Sequence, residues 1–360
     1  MAKIDAFFKL MHDQSASDLH LAAGQQPALR IHGEVERIKY KTLDNDDLRK
    51  ILYEITPEEK VKVFEETGDI DFAYEIPGLA RYRVNYYMHK DGVAAAFREI
   101  PSEIKTVEEL GLPRVISQLA TLPRGLVLLT GPTGSGKSTT LAAIIDEANR
   151  TRQDHIITIE DPIEFVHQSK GCLVNQREVG IHTRSFSAAL RGALREDPDI
   201  ILVGEMRDLE TISLAIEAAN TGHLVFSTVH TTSTSSTVDR IIEVFPSHEQ
   251  PQIRSTLADS IRAIITQSLF KRIDVRGRCA ATEILIATPA VRALVRDGKS
   301  HQIPSALQTG KRYGMQMLDD SIMDLLNQGK IDPDDAYSKA FEKARFRPML
   351  RKPPTDFTEA

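Results

Sequence analysis

The chain has 360 residues, enough for two or three domains that each bury a core, and its 27% charged and 41% hydrophobic residues are ordinary for a globular protein. A net charge of −6 argues against a chain-wide electrostatic grip on nucleic acid. The two cysteines, Cys172 and Cys279, are too few and too far apart for a disulfide framework or a metal knuckle, which points to a reducing compartment.

The opening residues Met1–Leu10 break their apolar positions with charges and do not read as a signal peptide. No apolar stretch approaches the roughly 18 residues of a membrane helix, so a cytoplasmic protein is expected, reaching a membrane only through partners. Ile4, Phe7, Phe8 and Met11 fall at helical spacing and predict an amphipathic first helix. Ser17–Leu21 and Pro27–Ile31 alternate as half-buried strands do. Thr56-Pro-Glu-Glu59 reads as a capping box with proline at the first helical position. Arg81–Tyr87 and Gly92–Arg98 read as strands, and Arg81 and Arg83, two apart, share one strand face. Residues 1–100 are thus predicted to form a small α/β domain. Residues 101–117 are predicted to be a linker in which Thr106-Val-Glu-Glu109 caps a turn of helix.

Residues 118–360 follow another pattern. Apolar strands at 126–129, 156–159, 200–203 and 224–229 alternate with helical segments near 138–150, 185–195 and 209–219. That alternation predicts a parallel sheet with helices on both faces, and ligand-binding residues at the carboxyl ends of its strands. After about residue 250 the sequence reads as mainly helical, and Lys352–Ala360 as a loose tail.

The run Gly131-Pro-Thr-Gly-Ser-Gly-Lys-Ser-Thr139 fits the phosphate-loop pattern, between a predicted strand and a predicted helix. Its glycines allow a tight turn with N–H groups aimed inward, and the helix N-terminus adds partial positive charge. Thr133, Gly134, Ser135, Gly136, Lys137, Ser138 and Thr139 are the candidate nucleotide contacts. Lys137 would reach the β- and γ-phosphates, and the Ser138 hydroxyl would ligate Mg²⁺. The strand at 200–203 leads into Glu205, which has the Walker B position and would hold Mg²⁺ directly or through water. A second acidic cluster, Glu160, Asp161 and Glu164, follows the strand at 156–159, where Pro162 stops the strand. Crowding there is expected to raise one carboxyl pKa, which suits a general base. His223 and His230 bracket the strand at 224–229, and the polar run from Ser227 to Ser236 reads as a γ-phosphate sensor with His230 at the phosphate. Arg81 and Arg83 are either solvated or a phosphate clamp supplied by another domain or subunit.

Together these segments resemble the secretion-ATPase superfamily, and within it the type IV pilus retraction ATPases, along nearly the entire chain. The resemblance rests on the phosphate loop, the acidic box Ile159–Glu164, the Walker B segment Asp197–Asp208 and the histidine box Thr221–Thr231. Ala290–Lys299 is similar to the family's retraction motif in part, with Val291 for isoleucine, Ala293 for asparagine, and Asp297 at the last position. The resemblance implies an α/β fold: a PAS-like N-terminal domain and a RecA-like ATPase domain with a helical C-terminal region, joined in a homo-hexameric ring. It implies ATP and Mg²⁺ as ligands, with ATP between the two domains. Glu164 would be the general base, Glu205 the Walker B acid, Arg81 and Arg83 the sensing arginines, and Glu160 and His230 neighbours of the nucleotide. It also implies work on an inner-membrane platform protein, from the cytoplasmic side, to withdraw a pilus.

Two other readings stay open. Extension and type II secretion ATPases carry a tetracysteine zinc element and an additional N-terminal domain. The stretch Leu269–Cys279 has one cysteine, which favours retraction. A nucleic-acid motor on a similar core is disfavoured by the acidic balance.

Overall fold

The structure is a computed structural model that describes residues 3–14, 16–31, 34–100 and 103–350. The tail read at Lys352–Ala360 lies outside the described residues. The chain divides into two compact units, 1–103 and 104–360, and both are α/β.

The first unit opens with α1 (Asp5–Asp13), whose Phe7, Phe8 and Met11 are buried together with Ile4, as the helical spacing predicts. Six strands follow: β1 (Asp18–Ala22), β2 (Ala28–Ile31), β3 (Glu34–Arg37), β4 (Asp69–Ile76), β5 (Ala80–His89) and β6 (Gly92–Ile100). They form one antiparallel sheet in the order β3-β2-β1-β6-β5-β4. Its core face carries Leu19, Tyr82, Val84, Tyr86 and Phe97, with Phe8 stacked on Tyr82 at 4.2 Å between ring centroids. Two helices, α2 (Asn45–Tyr53) and α3 (Glu58–Thr67), lie between β3 and β4 in sequence. The predicted capping box at Thr56 does not form. Its hydroxyl donates to the Leu52 carbonyl at 2.8 Å, finishing α2 rather than starting α3, whose N-cap Pro57 has no side-chain bond.

The second unit begins where a linker was predicted, but Val107, Leu112 and Ile116 are buried in its core. The capping box there is present: Glu109 N–H donates to Thr106 Oγ1, and Thr106 N–H donates to Glu109 Oε2. After α4 (Arg114–Gln118) come β7 (Gly125–Thr130), α5 (Lys137–Thr151), β8 (His155–Glu160), β9 (Leu173–Glu178), α6 (Phe186–Ala193) and β10 (Ile200–Val203). Next are α7 (Leu209–Thr221), β11 (Leu224–Val229), α8 (Thr234–Glu243), α9 (Gln250–Ser260), β12 (Ile261–Lys271), β13 (Arg278–Ile286) and α10 (Pro289–Arg296). The sheet order is β13-β12-β7-β11-β10-β8-β9.

Alternate residues of β7 serve the two faces. Leu126 and Leu128 pack with side chains of α6 to α10, and Val127 and Leu129 pack with those of α4 and α5. Helices therefore cover both faces, as predicted, but the sheet is mixed rather than parallel, because β13 runs antiparallel to β12. After residue 250 helices do predominate, as expected, but the expectation missed this pair of strands. Ile261–Phe270 is buried on both sides of the sheet, so it lacks the alternation that marks a one-sided strand. The edge strand β9 escapes a sequence reading for the opposite reason. Its Asn175, Gln176 and Arg177 make it too polar to stand out. The C-terminal helical segments pack Leu318, Ile322, Tyr337 and Phe346 against Phe270 and Ala281 of the β12–β13 hairpin.

Candidate functional site

The carboxyl end of β7 runs into the phosphate loop, and α5 starts at Lys137. Gly131, Gly134 and Gly136 have φ of 134°, 78° and 89°, a region that other residues adopt only under strain, so the loop needs glycine at these points. Thr133 and Gly134 form the exposed tip, Ser135 and Lys137 are buried, and Ser138 and Thr139 are half-buried in the first turn of α5. The Lys137 ammonium donates to the carbonyls of Gly131 at 2.8 Å and Pro132 at 3.0 Å. Burial lowers its pKa, while the charges of Glu205 and Glu164 act in the opposite sense. The charges of those two carboxylates, which follow other strands, thus reach the loop lysine. The Ser135 hydroxyl is buried with no hydrogen-bond partner among the described residues, an orphan polar group inside a loop of phosphate-binding pattern.

Glu205 follows β10 after Gly204. A Cβ at Gly204 would lie 3.2 Å from the Ile159 carbonyl, so the close approach of β8 and β10 favours glycine there. The Glu205 carboxylate, 17% exposed, pairs with Arg207 at 2.7 Å and with His230 Nε2 at 3.1 Å. Burial pushes its pKa up, but the Arg207 hydrogen bond and the charges of His230 and Arg207 outweigh this and hold it below the usual carboxylate range. An ionised, half-buried oxygen donor suits a hard cation such as Mg²⁺. His230, just beyond the end of β11, thus stands beside Glu205. His223, at the other end, bonds the Ala218 carbonyl in the last turn of α7, which is a structural role.

The acidic box divides into two kinds of carboxylate. Glu160 is buried and accepts from Thr158 Oγ1 at 2.6 Å, Gln176 Nε2 at 3.2 Å and the Glu164 N–H at 3.3 Å. Its pKa is raised, first by burial, whereas the three hydrogen bonds pull it down. Crowding, the predicted cause, is represented by the Glu164 charge and comes last. Asp161 and Glu164 are exposed, and the Glu164 backbone is tethered by its N–H to Glu160. Glu160 is thereby a buttress, and Glu164 the carboxylate it presents.

Arg81 and Arg83 belong to the first unit. They alternate with the buried Ala80, Tyr82 and Val84 of β5 and so lie on the sheet face opposite its core. The described geometry assembles Lys137, Glu205, His230, Glu164 and Glu160 within the second unit and leaves the arginines on their own sheet.

Residues that the sequence reading did not single out also shape this site. Gln267 on β12 donates through Nε2 to the Ser135 carbonyl and accepts at Oε1 from Thr140, both at 2.8 Å. Thr266 shares a hydrogen bond with Thr130 at the end of β7, also at 2.8 Å. Buried Glu283 on β13 accepts from the Thr234 N–H at the start of α8, beyond the histidine box. The available signal was the pair Thr266-Gln267, polar residues inside the apolar run from Ile261 to Phe270.

Residues 102–311 match the family described as Type II/IV secretion system protein. The chain is 54% identical over 327 residues to the type IV pilus retractation ATPase PilT of Pseudomonas aeruginosa, covering 91% of this chain and 95% of that protein. It is 52% identical to a twitching motility protein of Neisseria gonorrhoeae, covering 87% and 84%. Its fold matches the crystal structure of the pilus retraction motor PilT with bound ADP at a TM-score of 0.89 and 43% identity, over 96% of this chain and 98% of that one.

Proposed function

The chain belongs to the Type II/IV secretion system protein family and is a nucleotide-binding ATPase, and from that premise we propose that it is the motor of type IV pilus retraction. The observation that carries the proposal is similarity along the length of both chains to a pilus retraction ATPase, together with a phosphate-loop lysine that feels the charges of Glu205 and Glu164. The resemblance includes the partial retraction motif. It begins in α10 and runs past its end, and within the helix Val291 keeps an aliphatic side chain at a buried position and Ala293 is exposed.

In this reading the N–H groups of residues 133–139 and the N-terminus of α5 bind the phosphates of ATP. Lys137 exchanges its two loop carbonyls for phosphate oxygens. Ser138 and Glu205 hold Mg²⁺, Glu205 directly or through water, and the ion supplies charge against the phosphates when bound. Glu164, presented by the Glu160 buttress, takes the proton of the attacking water. His230 stands where the terminal phosphate leaves and, through its bond to Glu205, reports that departure to the loop leading into α8. Arg81 and Arg83 sense the phosphate. The motor works as a homo-hexamer on the cytoplasmic face of the inner membrane, drawing pilin out of the fibre through a membrane-embedded platform protein. Among the described residues no helix is long and apolar enough to cross a membrane.

A strain lacking this protein should keep its pili but lose their retraction under the microscope, and wild-type protein should restore it. Pili that still retract in the deletion strain would sink the proposal, and loss of pilus assembly would favour the extension reading. ATPase activity stimulated by DNA would favour a nucleic-acid motor. Arg81→Ala is expected to leave nucleotide affinity intact while lowering turnover on the order of 10²-fold, and a full-rate variant would remove Arg81 from the mechanism.

A further inference from the structure

Gln267 is 2% exposed, yet it carries a primary amide that an apolar sheet position does not need. Its two ends bond the chain on either side of Gly136-Lys137-Ser138: Nε2 to the Ser135 carbonyl before it, and Oε1 to the Thr140 hydroxyl after it. The loop also packs on the same residue. A Cβ on Gly136 would lie 2.8 Å from Gln267 Nε2, and one on Gly131 would lie 2.4 Å from the Gln267 carbonyl oxygen. The register of β12 against β7, with Thr266 opposite Thr130, is what delivers Gln267 to this point.

A glycine-rich loop has more conformational freedom to lose than other segments, and ordering it during binding would weaken affinity. We propose that Gln267 is a positioning residue that holds the phosphate loop in its binding curvature before nucleotide arrives. The ordering is then completed during folding, and Gln267 governs nucleotide affinity more than the chemical step. This rests on the loop being the nucleotide site.

The test uses the full-length chain, with ADP affinity by calorimetry and ATP turnover at steady state. Gln267→Leu removes both bonds at similar volume. It should raise the ADP Kd and the ATP KM by about tenfold each and keep kcat within about threefold. Thr140→Val removes one of the same bonds and should raise Kd by a smaller factor. The double variant should be no weaker than Gln267→Leu alone, because the Thr140 bond is already lost. Unchanged Kd in a folded Gln267→Leu chain would overturn the proposal, as would a fall in kcat with Kd unchanged. Should Gln267→Leu fail to fold, Thr140→Val decides, and wild-type affinity in that variant overturns the proposal. Lys137→Ala, measured in parallel, separates the two failures: if it too binds ADP normally, the loop assignment itself is wrong.

Discussion

Lys137→Ala should reduce ATP turnover by about 10³-fold or more and abolish tight nucleotide binding, while the protein still folds. The size of the effect follows from the surroundings. A buried ammonium acts in a medium of low effective dielectric, where its attraction for a phosphate is far stronger than in water. It also feels the charges of two carboxylates, Glu205 and Glu164, so without it the phosphates would meet those carboxylates with one cation fewer. Stability should change little. Among the described residues Lys137 bonds only the carbonyls of Gly131 and Pro132, and burial already disfavours its charged form. Thermal unfolding and ATP binding would be measured on the same preparation. A folded variant that still binds ATP tightly would sink the loop assignment.

Glu164→Ala should retain nucleotide binding and lose turnover, by a factor on the order of 10²–10⁴ for a general base. The neighbouring carboxylate supplies the control. Glu160 is committed to Thr158, Gln176 and the Glu164 N–H, so it has little capacity left to accept a proton from water. Glu160→Gln keeps an acceptor oxygen for Thr158 and should lower turnover less than Glu164→Ala does. If Glu160→Gln stops turnover and Glu164→Ala does not, the two roles are reversed. If neither variant differs from wild type, the acidic box is not the catalytic base.

Most of this arrangement is legible in the residues. Elements of one-sided burial show their period directly, as in Ile4, Phe7, Phe8 and Met11 of α1. The phosphate loop is a local pattern whose glycines answer to backbone angles, so its shape needs no knowledge of the rest of the chain. The strand-end acids follow from the strands. Pairings set by distant register are not legible in this way. Nothing near Glu205 in sequence distinguishes its pairing with His230 from a solvated carboxylate, because the two meet only through the register of β10 and β11. Thr56 illustrates a local pattern misread: the residues of a capping box were present, but the hydroxyl found the Leu52 carbonyl one turn earlier. Gln267 was hidden twice, first because β12 resembles a helix when both faces are buried, and then because its partners lie far away in sequence.

The neighbours of β7 carry a consequence for synthesis. Thr130, the last residue before the loop, pairs with Val229 on one side and with Thr266 on the other. Parallel pairings between such distant segments form slowly, and during translation the earlier part of a chain leaves the ribosome first. A nascent chain that ends before β12 carries every residue of the phosphate loop but not the strand that clamps it. Nucleotide can stabilise only a state that binds it. ATP in the cell therefore stabilises the early folding of this chain less than it stabilises the finished site, and its pull grows once β12 has emerged.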